Sequence, residues 1–160
     1  MQVQITKRAD GAGVLRCVRS DGSVTWQKQT DRHAAYFALH DLTHFAVETT
    51  LGFKRGFFGL IAQGWDIDDT TGKGARGPLP PEAAVAESIV GLVQAEQAGG
   101  KSWPAEEFNS TLADILTSAN SVVPAPVLTE AQIAAVKQRR SEIVEQWNSV
   151  PVGEALDLTF

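Results

Sequence analysis

HAAYFALHDLTHFAVETTLG, residues 33–52, holds all three histidines of the chain, His33, His40 and His44, within its first twelve positions. Wound as an α-helix at about 100° per residue, His33, Phe37, His40, His44, Val47 and Glu48 fall within roughly 100° of one another. One helix face therefore carries three imidazoles and a carboxylate among apolar groups. Thr30 or Asp31 is placed to cap the helix start, and Gly52 to end it as a left-handed C′ residue.

The flanks of this helix define the fold. Upstream, Gln2–Arg8, Val14–Arg19 and Val24–Lys28 alternate apolar and polar residues with the period of strands. They are separated by Ala9-Asp10-Gly11 and by Asp21-Gly22, the pair that hairpin turns prefer. Residues 1–28 thus read as a three-stranded antiparallel meander. Downstream, Gly56-Phe57-Phe58-Gly59-Leu60-Ile61-Ala62 reads as a short apolar helix, so that residues 31–64 hold two helices. Residues 65–81 read as a loop. It is not a phosphate-binding loop, because Lys73 is followed by Gly74 and the upstream glycine position is Ile67.

Residues 82–148 carry three further helical patterns. Pro81 suits the first turn of one whose stripe is Val85, Ile89, Leu92 and Val93. Ser102 is the expected cap of the next, with Phe108, Leu112, Ile115 and Leu116 as its buried side. Thr129-Glu130-Ala131-Gln132 fits a capping box for the last, with Lys137 to Arg140 as its wet side. Residues 154–160 alternate again and are expected to join the N-terminal meander, which satisfies their backbone. The fold expected for residues 1–160 is one α+β domain: a four-stranded, mostly antiparallel sheet from both ends of the chain, packed with four or five helices.

Composition bounds the function. The net charge is −5, and it is uneven: residues 1–80 carry ten Lys/Arg against eight Asp/Glu, residues 81–160 four against eleven. An acidic half repels phosphate backbones, so nucleic acid is not the expected partner. No apolar run is long enough to span a membrane, and the first residues lack a signal-peptide pattern; a cytoplasmic location is expected. Cys17, the single cysteine, excludes an internal disulfide and a cysteine zinc cluster, and reads as a buried strand residue.

The chemistry that fits this pattern is metal binding. His40 and His44 lie one turn apart, about 6 Å along the axis, and can share one ion. Glu48 lies about 12 Å from His40 by helical rise, too far for all three to meet on one ion. A third ligand must come from another segment, with Asp66, Asp68 and Asp69 of the Gly64–Asp69 stretch or His33 as candidates. Glu48 or Asp41 is the candidate catalytic general base beside zinc or another divalent ion that activates a water for hydrolysis. The competing reading is a non-catalytic interaction or structural module. In it the histidines pack at core edges, Glu48 pairs with Arg55 or Lys54, and Trp65, Phe57 and Phe58 cover a protein partner. The expected partner is a small molecule or a protein.

His40-Asp41-x-x-His44 resembles the zinc motif of the coenzyme Q biosynthesis family over five residues, with Gly56 where that family carries a glutamate. A wider stretch, residues 38–64, resembles small uncharacterised bacterial proteins that share an "HDLxHFxVE" helix, here His40 to Glu48, followed by Leu51-Gly52 and Gly56-Phe57-Phe58-Gly59. That resemblance implies a shared motif without an activity.

Overall fold

The computed structural model describes residues 1–28, 34–74, 76–119 and 121–160. The expected caps Thr30 and Asp31 lie outside the described residues, as does His33. Strands β1 (Gln2–Lys7), β2 (Gly13–Val18), β3 (Val24–Lys28) and β4 (Ala155–Thr159) form one sheet in the order β3-β2-β1-β4. Every neighbouring pair is antiparallel, so the C-terminal strand does join the meander. Asp21 Oδ1 accepts the Ser23 N–H at 2.9 Å, and Gly22 takes a φ of +84° that the β2–β3 turn requires.

Strand alternation sorts the sheet into two faces. Val3, opposite Cys17 and Leu158, and Ile5, opposite Leu15 and Leu156, point inward. The register sets Trp26, Arg16, Gln4 and Asp157 in a row across all four strands of the outer face. Arg16 donates to Gln4 Oε1 at 2.6 Å, and Gln4 Nε2 donates to Asp157 Oδ1 at 2.7 Å.

Five α-helices cover the inner face and extend beyond it: α1 (Ala34–Leu51), α2 (Phe57–Ala62), α3 (Pro81–Gly99), α4 (Ala105–Ser118) and α5 (Glu130–Ser149). One apolar cluster joins the sheet to Leu42 and Phe45 of α1, Phe58 and Ile61 of α2, and Ile143 and Trp147 of α5. A second joins Val47 of α1 to α3, α4 and α5, with Ile89, Phe108, Leu112 and Val136 at its centre. Helix α1 lies between the two. Leu42 through Val47 and Glu48 are all buried, two turns covered on every side, the pattern of a central helix rather than a surface one.

Four local features depart from the sequence reading. The 65–81 loop contains a 3-10 helix at Ile67–Thr71 that buries Ile67. Ser102 does not cap α4: Pro104 precedes the first turn, Glu130 Oε1 takes the free Ala105 N–H at 2.6 Å, and Ser102 bonds Lys137 Nζ. Ile115 is exposed. Arg140, on the expected wet side of α5, is buried, because α5 packs along α1 and Arg140 Nε reaches Thr43 Oγ1 at 2.9 Å.

The capping box of α5 is present. Thr129 Oγ1 accepts the Gln132 N–H at 3.2 Å, and Gln132 Oε1 accepts the Thr129 N–H at 3.0 Å. Thr129→Ala is expected to cost about 1 kcal/mol and to lower the thermal midpoint by about 2–4 °C, as read by calorimetry.

Candidate functional site

His40 and His44 project from one face of α1 toward α3, their rings 4.7 Å apart and nearly perpendicular. Each has one ring nitrogen held by an acceptor. Gln94 Oε1 sits 3.1 Å from His40 Nδ1. A carbonyl oxygen only accepts, so that nitrogen carries the hydrogen and the Nε2 lone pair is left free. Glu48 Oε1 sits 3.2 Å from His44 Nδ1 and fixes that ring in the same way.

Both Nε2 atoms face one carboxylate, and the His44 Nε2 donates its proton to it in the metal-free fold. His44 Nε2 lies 3.0 Å from Glu87 Oε2, and His40 Nε2 lies 3.8 Å from Glu87 Oε1. His40, His44 and Glu87 each offer one ligand atom, and the three atoms lie within 4.8 Å of one another. His44 is buried and His40 half-buried, while the Glu87 side chain is 61% exposed, so the group opens toward solvent at Glu87. Gln94 and Glu87 are seven residues apart, two turns of α3, and both face α1.

The electrostatics follow from burial and pairing. For His44, burial disfavours the charged ring, but the hydrogen bonds and charges of Glu48 and Glu87 outweigh it and push the imidazole up to about 9. For His40, burial and then the neighbouring His44 hold the imidazole below its ordinary value, against smaller support from Gln94 and Glu87. Glu87 is held below the usual carboxylate range, mainly by its bond to His44. Asp41, half-buried beside the rings, has its carboxyl pushed up to about 7 by burial; His44 opposes that rise and Glu87 adds to it.

Two small cavities flank the group. One, of about 190 Å³, is lined by His40, Asp41, His44, Glu87, Phe37 and Thr70 among others. The other, of about 220 Å³, is mostly apolar and runs from His44 and Glu87 past Leu79, Pro80 and Ala83.

The structure thus brings His40, His44 and Asp41 to one place and adds Glu87. Asp66 lies elsewhere: its side chain is exposed and pairs with Arg19 at 3.1 Å. Glu48 lies beneath the site with a fully covered side chain. Besides His44 it accepts the N–H groups of Phe58 at 3.2 Å and Gly59 at 3.0 Å. It does not pair with Lys54 or Arg55, whose backbone N–H groups go to Glu82. Gly56 makes this possible, because a Cβ there would stand 2.5 Å from Glu48 Cδ. Of the aromatic residues considered for a partner surface, Phe58 is wholly buried, Phe57 packs on His44 with ring centroids 5.4 Å apart, and Trp65 lies under Arg76.

Glu87 is absent from the sequence reading because it belongs to the polar side of α3, outside the apolar stripe. The signal available was its spacing of seven from Gln94, which puts an acid and an amide on one face of a helix. Comparison with family models, with curated proteins and with solved structures gives no match.

Proposed function

We propose that His40, His44 and Glu87 hold a divalent metal ion of the zinc class, and that the site is hydrolytic. The carrying observation is that both imidazoles have Nδ1 engaged by a fixed acceptor while both Nε2 atoms approach the same carboxylate. Two nitrogens and one carboxylate oxygen are the donor set of open zinc sites. An ion with bonds of about 2.0–2.2 Å sets tetrahedral ligand atoms roughly 3.3–3.6 Å apart. The spacing here, at most 4.8 Å, fits after small side-chain adjustments.

Glu48 and Gln94 are the orienting partners of the two imidazoles, the role that carboxylates and carbonyls take behind ligating histidines. When bound, the ion supplies Lewis acidity. Asp41, which lines the cavity beside His40 and His44, is the group that holds or releases a proton near neutral pH, where a general acid or base is most effective. The mostly apolar cavity past Leu79 and Pro80 suits the body of a small substrate.

The test is a zinc titration of tag-free protein by calorimetry, with metal analysis after purification. Wild-type protein is expected to bind one equivalent. His40→Ala with His44→Ala is expected to abolish binding. Gln94→Leu is expected to weaken it about 10–100-fold. A wild-type protein that takes up no metal, or a double variant that binds as well as wild type, removes the proposal.

A further inference from the structure

A second cavity, of about 380 Å³, lies away from the histidines, between the end of α3 and the middle of α5. Val93 and Val144 give it apolar walls, and Lys101, Lys137, Arg140 and Glu96 also line it. Arg140 is the unusual member. Only 8% of its surface is exposed, yet among the described residues it has no carboxylate partner. Its Nε–H is used by Thr43 Oγ1, and its remaining N–H donors have no partner among the described residues. Among the described residues Glu96 Oε2 is the side-chain atom sealed from solvent without a partner, so the Arg140 N–H groups that Thr43 does not take stay open to solvent, in the cavity that Arg140 lines.

The acid in the cavity wall is already taken. Glu96 Oε1 accepts Lys137 Nζ at 2.8 Å and the Trp103 N–H at 2.5 Å. Glu96 Oε2 is buried without a partner, so it is withdrawn from the cavity surface. With Glu96 offset by Lys137, Arg140 and Lys101 remain as surplus positive charge. The volume falls in the range of small-molecule sites, which combine apolar walls with a few oriented polar groups.

We infer that this cavity is a binding site for a small organic carboxylate, whose head group pairs with Arg140 while a short apolar tail lies along Val93 and Val144. Planar guanidinium and carboxylate match as paired donors and acceptors, which favours this head group over an alcohol or a single-point anion. The site is independent of the metal proposal.

The experiment titrates the full chain with hexanoate, hexan-1-ol and inorganic phosphate by calorimetry. Hexanoate is expected to bind, with Arg140→Gln weakening it about tenfold or more. Ser141→Phe, an exposed position on the cavity wall, is expected to block binding without touching Arg140. It keeps the test decisive if Arg140→Gln does not fold. Equal binding of hexan-1-ol, binding of phosphate alone, hexanoate affinity unchanged in both variants, or no hexanoate binding each overturns the inference.

Discussion

Glu48→Ala is expected to lower the folding free energy by about 3–5 kcal/mol, the range for removing one partner from a buried, hydrogen-bonded charge. Three donors lose their acceptor at once: the Phe58 and Gly59 N–H groups and His44 Nδ1. The two amides open α2, a helix of six residues with no side-chain cap of its own. The residue is 1% exposed, so these donors have no access to bulk solvent in the intact fold. Glu48→Gln should fall between wild type and Glu48→Ala, because one oxygen still accepts while the new amide hydrogens face backbone donors. Urea unfolding of metal-free protein measures all three. A loss below about 1 kcal/mol for Glu48→Ala would show that α2 docks without this acceptor.

The stability of metal-free protein is expected to fall by about 2 kcal/mol between pH 7 and pH 9. His44 keeps its proton in the fold up to about 9 and loses it at 6.5 when unfolded. Between those values the native state binds more protons, so stability declines as pH rises, and the His44 contribution is complete only below 6.5. Asp41, raised from 3.8 to about 7, acts in the same direction at lower pH. The lowered values of His40 and Glu87 act oppositely, but only below 6.5 and 4.5. Burial raises the Cys17 thiol to about 12, so it contributes only above 9. His44 therefore dominates the window. His44→Gln should flatten the slope, and a slope unchanged in that variant would refute the assignment. With zinc bound, the trend should reverse, because the metal needs the His44 Nε2 lone pair free of its proton.

The sheet was legible because its signals are local. Alternation fixes which face of Val3, Ile5, Leu15 and Cys17 is buried, and Asp21-Gly22 fixes the turn. The placement of Leu156 and Leu158 beside β1 needed only the rule that an extended segment must pair its backbone. Half of the candidate site was legible for the same reason, since His40 and His44 are one turn apart on one helix. The other half depends on which face of α3 meets α1. The stripe Val85, Ile89 and Val93 marks the buried face of α3, but not that Glu87 beside it meets α1, which follows from how the second apolar cluster packs. Arg140 was misread on the same ground. A run of Lys137 to Arg140 looks wet until the helix is laid against Thr43.

Helix α1 has a consequence beyond the residues it presents. The sheet cluster and the helical cluster each use part of its circumference, so neither is closed without it. Loosening one cluster strips α1 of half its cover and weakens the other. Cooperativity between the two halves of the fold therefore runs through the segment that carries both imidazoles, and strain at the site is shared by the whole packing arrangement.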